Sequence, residues 1–226
     1  MELPAASGKG RAAFGLPDGR FIFLVVLDAY SYLERKNPLA AVRAFKRAFP
    51  QGRSDVAMVI KTMNVDPLGG YWRNLLAECA ADPRILFLDG VLSFEDMVAL
   101  YAVTDCLVSL HRSEGFGLCI AEAMMCGKPV IATAYSGNLD FMAATNSCLV
   151  DAREVAVQPG QYPFGSEQVW ADPDIDVAAA YMRELRDRDG WAAELGSRAR
   201  DWAAVHLSAR ASSSAYVSAL QRHVHF

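Results

Sequence analysis

Hydrophobic and polar positions alternate along this chain in regular blocks. Phe21 to Leu27 (FIFLVVL) is an unbroken apolar run, the pattern of a strand covered on both faces. Pro38 suits a first helical turn, and Val42, Phe45 and Phe49 follow at helical spacing while Arg43, Lys46 and Arg47 fall on the other side. Val56 to Ile60 reads as a strand, 70–80 as a helix, Ile85 to Leu88 as a strand, and Ser93 as the cap of a helix ending near Ala102. Cys106 to Leu110 is a strand, Leu118 to Met125 a helix, Pro129 to Ala132 a strand, and Cys148 to Val150 a last short strand. Strand and helix alternating at such short spacings predict an α/β fold, a Rossmann-like parallel sheet flanked by helices.

The flanks read differently. Residues 1–19 are rich in Ala, Gly and Pro and show no periodicity, so they read as a linker or lead-in. The stretch from Asp151 to Trp170 breaks the rhythm and reads as an excursion loop. Asp172-Pro173 then opens a run of helices to about Gln221, a helical C-terminal tail on a domain spanning residues 20–226.

Composition narrows the classes. With 53% hydrophobic and 21% charged residues among 226, the chain has apolar material for a full core, which excludes a disordered or fibrous protein. Twenty-two basic against 26 acidic residues leave a net charge of −4, which argues against a general nucleic-acid binder. No apolar run reaches the roughly 18 residues that span a bilayer. The five cysteines are odd in number, form no Cys-x-x-Cys pair and sit in apolar surroundings. They read as buried thiols of a reducing, cytoplasmic protein.

Ligands of such sheets bind beyond the carboxyl ends of the strands, so the residues after each strand carry the chemistry. The densest stretch is Ser109 to Thr133, SLHRSEGFGLCIAEAMMCGKPVIAT. Its loop holds Glu114, Gly115, Phe116 and Gly117, and a helix starts at Leu118 with Glu122 in its second turn. Two glycines let backbone approach a ligand closely, and the free N–H groups of a helix start favour an anion. A phosphate or diphosphate is expected at the amides of about Gly117 to Cys119. Glu114 and Glu122 are placed to accept hydrogen bonds from hydroxyl groups on either side of it.

These residues resemble a known family. Glu114-Gly115-Phe116-Gly117 with Glu122 matches the paired-glutamate motif of the group 1 family of retaining glycosyltransferases with the GT-B fold. Ala123 to Thr133 looks like that motif's continuation, and Ser136-Gly137-Asn138 resembles the family's second glycine loop. Glu34-Arg35-Lys36-Asn37-Pro38 resembles its basic phosphate-binding loop, and the likeness covers roughly residues 14–205. It implies the carboxyl-terminal, donor-binding domain of a metal-independent enzyme that takes a UDP- or GDP-sugar and needs no cofactor. By that resemblance Glu122 would hold the donor ribose and Glu114 the hydroxyls of the transferred sugar. The amides of Gly115, Phe116, Gly117 and Leu118 would meet sugar and diphosphate, and Lys36 would neutralise the leaving group. The loop carrying Val91 and Leu92 would flank the nucleobase.

The family places an Arg five or six residues before that lysine, where Tyr30 and Ser31 stand here, so Arg35 or Arg112 would supply the second cation. The resemblance also implies a partner, an N-terminal GT-B domain or a separate chain, through which the whole would meet acceptor and a membrane face. A non-catalytic nucleotide-sugar-binding module and a GT-B relative such as a nucleotide-sugar epimerase stay open as alternatives. The Asp-x-Asp triplets beginning at Asp172, Asp174 and Asp187 read as helix caps and surface groups rather than metal ligands. His111 reads as a structural histidine, and Trp170, Trp191 and Trp202 as helix-packing anchors.

Overall fold

The computed structural model describes residues 1–67 and 69–223. Six parallel strands form the central sheet: β1 (Phe21–Asp28), β2 (Val56–Met63), β3 (Ile85–Asp89), β4 (Cys106–Ser109), β5 (Val130–Thr133) and β6 (Cys148–Val150). They lie in the order β3-β2-β1-β4-β5-β6. Strand order reverses between β1 and β4, the position at which open α/β sheets bind ligands.

Around the sheet run α1 (Leu33–Lys36), α2 (Pro38–Ala48), α3 (Gly70–Cys79), α4 (Phe94–Val103) and α5 (Leu118–Met125). The C-terminal helices α6 (Ile175–Asp187), α7 (Trp191–His206) and α8 (Ala209–His223) follow. The local signals act as their chemistry demands. Pro38 opens α2, and the Ser93 side chain accepts the Asp96 N–H at the start of α4.

Alternation along β1 divides the apolar interior in two. Phe23 and Val25 face one side, with Phe45, Phe49, Met58, Leu75 and Met182. Ile22 and Leu24 face the other, with Leu100, Tyr101, Ile120 and Met124. On the first side the rings of Phe23, Phe45 and Phe49 meet with centroids 5.5–6.1 Å apart. Each such ring, fully buried, stabilises by roughly 1.5–3 kcal/mol.

Two stretches differ from the sequence reading. The segment after β6 is not a plain excursion loop, because β7 (Ala152–Ala156) and β8 (Val169–Pro173) pair as an antiparallel hairpin. The strands are short and a polar connection separates them, so no local pattern announced the pairing. Asp172 and Trp170 therefore sit on a strand rather than at a helix start. The cap of α6 is Asp174, which accepts the N–H groups of Asp176 and Val177. Asp176 and Asp187 pair with Arg47 and Arg53 at the surface.

Residues 1–19 hold one regular element, a 3-10 turn at Arg11–Phe14. Phe14 and Leu16 nonetheless enter the second core. The Arg11 guanidinium also binds the carbonyls of Val103 and Arg20 and the Asp105 carboxylate.

Candidate functional site

The basic loop comes first in the chain. Tyr32 (φ 62) and Asn37 (φ 51) bracket the single turn of α1, both in the left-handed region. Asn tolerates that conformation; for Tyr32 it costs of order 1–3 kcal/mol. Asn37 Nδ2 donates to the Leu110 carbonyl at 3.1 Å, which ties the loop to the end of β4. Arg35 and Lys36 are thereby turned onto one carboxylate. Lys36 Nζ lies 2.5 Å from Glu114 Oε2, and Arg35 Nη1 lies 3.5 Å from Oε1 and donates to the Ser113 carbonyl at 2.7 Å. Burial alone would push the Glu114 carboxyl up, but the Lys36 hydrogen bond and the two positive charges outweigh it and hold it below its ordinary value.

The glycine loop is built from two layers. Gly117 (φ 92) caps α5 without a side chain, leaving the first amides of the helix free of intrahelical partners. A β-carbon there would be strained and would lie 3.1 Å from Ile120 Cδ1. Beneath it, the Glu114 N–H donates to Ser136 Oγ at 2.8 Å and the Gly137 N–H to the Glu114 carbonyl at 3.0 Å. A β-carbon on Gly137 would stand 1.7 Å from the Gly115 carbonyl oxygen, so only glycine permits this contact. The residues read as a second glycine loop are thus the support of the first.

His111 belongs to that support. Its Nε2–H faces the Tyr135 carbonyl (3.2 Å) and Asn138 Oδ1 (3.1 Å), both acceptors, so Nδ1 accepts from Ser109 Oγ at 3.0 Å. Burial lowers its pKa and keeps the ring neutral. The structural reading of this histidine agrees with its placement.

A cavity of about 550 Å³ opens over the switch point of the sheet. Arg35, Lys36, Leu92, Glu114, Phe116, Gly117, Leu118 and Glu122 all line it. Gly115 and Val91 lie outside the lining, Gly115 in the layer over Gly137 and Val91 80% exposed. Of the two candidates for the second cation, Arg35 is in the cavity. Arg112 turns away, pairing with Asp172 at 3.4 Å and lying 5.1 Å over the Trp170 ring. Its backbone links two loops: its N–H donates to the Arg35 carbonyl and its carbonyl accepts from the Ala171 N–H, both at 2.8 Å.

Three polar lining residues escaped the sequence reading: Asp28 at the end of β1, Tyr101 and Lys61. The Tyr101 hydroxyl donates to Glu122 Oε2 at 2.9 Å, offsetting part of the burial that raises the Glu122 pKa. Lys61 reaches the cavity from inside β2. Its signal was present, a lone charge in an apolar strand. Among the described residues no cluster of three or more His, Cys, Asp or Glu has metal-binding geometry, and all five cysteines are free thiols.

Sheet order, helical tail and this crevice together define a Rossmann-like domain of the kind found in GT-B glycosyltransferases. The chain belongs to the glycosyl transferases group 1, whose family model matches residues 24–158. It is similar to D-inositol 3-phosphate glycosyltransferase of Mycolicibacterium smegmatis, 26% identical over 207 residues, covering 81% of this chain and 45% of that protein. In fold it is similar to HepE of Anabaena, solved with UDP-glucose, at TM-score 0.70 and 18% identity over 94% of this chain and 51% of that one. Sucrose-phosphate synthase of Thermosynechococcus elongatus gives TM-score 0.70 and 21% identity over 96% and 49%. The chain spans about half the length of each of these relatives. Among the described residues no helix is long and apolar enough to cross a membrane.

Proposed function

We propose that this chain is the donor-binding half of a retaining glycosyltransferase, moving a hexosyl group from a nucleoside-diphospho-sugar to an acceptor. The observation that carries the reading is the meeting, in one cavity, of Arg35 and Lys36, Glu114 and Glu122, and the bare amino end of α5.

In that reading the diphosphate lies against the amides of Gly117 to Cys119, with Lys36 and Arg35 on its oxygens. As the bond from the anomeric carbon to the diphosphate breaks, charge grows on the leaving oxygen. Fixed cations and amide dipoles lower the barrier there, each such group being worth roughly 10²–10³ in rate. Because these groups supply the charge stabilisation, the proposed route calls on no metal and no cofactor. Glu122, oriented by the Tyr101 hydroxyl, holds the ribose, and Leu92 flanks the base. Glu114 is assigned to the sugar hydroxyls as a positioning group, since both its oxygens are already engaged by cations. Retention then follows from attack on the face from which the diphosphate departs. The acceptor is assigned to an N-terminal GT-B domain or partner chain, which would also make any peripheral contact with the inner membrane face of a cytoplasmic enzyme.

Titration calorimetry with UDP-glucose and GDP-mannose tests the donor assignment. At least one is expected to bind, with Lys36→Ala weakening it roughly 10- to 100-fold, the range for a lost hydrogen bond between charged groups. No binding of either, or undiminished binding by the variant, refutes the assignment. Sugar transfer by this chain alone would refute its being only half of the machine.

A further inference from the structure

Strand β2 is buried along almost its whole length, yet Lys61 stands within it, only 3% exposed. Its ammonium donates to the carbonyl of Thr62 at 2.8 Å and to that of Gly90. Both carbonyls lie at the carboxyl ends of neighbouring strands. No ion pair reaches it among the described residues, and the nearby Asp89 gives Oδ1 to the Thr62 hydroxyl instead. Its hydrogen bonds go to neutral carbonyls, while the carboxylates of Asp89 and of Asp28, which lines the same cavity, act on it only through space; a buried cation so held costs stability rather than adding it. An ammonium has three N–H donors; two are accounted for, and the residue lines the cavity.

The surroundings narrow what the third donor meets. Val26, Leu92, Phe94 and Met97 give this end of the cavity apolar walls, suited to a flat ring. Glu122 follows β4, and β4, β1 and β2 are consecutive in the sheet. The helix that carries Glu122 packs on β4 and β5, so Glu122 and Lys61 stand on opposite sides of β1 across the cavity, with Lys61 at the edge of the base far from the ribose. Uracil, thymine and guanine carry a carbonyl oxygen on that edge. Cytosine and adenine carry an amino group, which has nothing to offer a cation that can only donate.

We propose that Lys61 reads the distal carbonyl of the donor's nucleobase, so that the site takes keto bases and rejects amino bases. The inference rests on the donor-site reading above. Calorimetric titration of this chain with UDP, CDP, GDP and ADP tests it. UDP is expected to bind at least tenfold more tightly than CDP, and GDP than ADP. Lys61→Met should shrink each ratio below about threefold, a quantity that does not depend on how much of the variant is folded. Where the variant does not fold, the diphosphate of pyrimidin-2-one riboside, which has neither group at that edge, replaces it. With wild-type protein it must bind at least fivefold more weakly than UDP. Equal binding of all four nucleotides, ratios unchanged in Lys61→Met, or a pyrimidin-2-one nucleotide as tight as UDP would overturn the role of Lys61 alone. Failure of all four to bind would overturn the donor site itself.

Discussion

Replacing Glu114 by Gln should make the site bind UDP more tightly, although Glu114 is proposed to serve the donor. In the unliganded protein its carboxylate holds Lys36 at 2.5 Å and Arg35 at 3.5 Å, all three side chains less than one-fifth exposed. The gross attraction of the closer pair at an effective dielectric of 20 is about 7 kcal/mol. Desolvation returns most of it, leaving roughly 1.5–3 kcal/mol for a charge-assisted bond of this kind. A diphosphate entering the cavity must share or remove those cations, and it also faces the carboxylate as a like charge. Glutamine keeps the shape and removes both penalties, so UDP should gain about 1–2 kcal/mol, or roughly 5- to 30-fold in affinity. The sugar should respond in the opposite sense, because its hydroxyls lose an ionised acceptor, and the preference for UDP-glucose over UDP should fall. Calorimetry at low ionic strength measures both. UDP affinity that is unchanged within twofold or weaker in Glu114→Gln would refute the competition.

Further outcomes follow from geometry elsewhere. Gly137→Ala would push a methyl group into the Gly115 carbonyl at 1.7 Å, so the glycine loop must shift. The expected cost is roughly 1–3 kcal/mol of stability, with nucleotide binding lost in the protein that remains folded; thermal melts and titration at a temperature well below the variant's midpoint separate the two. Asp55, bonded by Arg53 and near Arg186, is held at about 2 against an ordinary 3.8. A depressed carboxyl contributes stability above its unfolded value and loses it as pH falls through the folded one. The melting-temperature gap between wild type and Asp55→Asn should therefore hold from pH 7 to about 4.5 and narrow toward pH 2. A gap independent of pH would contradict the shift.

Much of this architecture was legible because burial leaves a period in the sequence. The continuous apolar β1 and the Pro38 start of α2 fell where expected, as did the Glu114 to Glu122 spacing across a loop and one helical turn. What was not legible depends on contacts between distant residues. Nothing local pairs Ala152–Ala156 with Val169–Pro173 across a polar connection, so the hairpin read as a loop and its Trp170 as a helix anchor. Arg112 looked as good a cation as Arg35 until the hairpin supplied Asp172 and Trp170 to draw it away. Tyr101 falls unremarked inside the helix expected to end near Ala102, since its hydroxyl has meaning only beside Glu122. Lys61 is the exception, for its oddity was visible in VAMVIKTM. The unbroken apolar run ends at Ile60, one residue short of it.

The sheet also acts as a partition. Val26, Leu92, Met97, Tyr101, Leu107 and Ile120 of the cavity wall belong to the interior shared with α4 and α5, against Leu27 and Val108 from the other. The interior under α2, α3 and α6 lies behind the strands. Inheritance acts unevenly on such a molecule: sequence drift behind the partition is felt as tolerance to heat, while drift in front of it re-tunes which ligand is chosen.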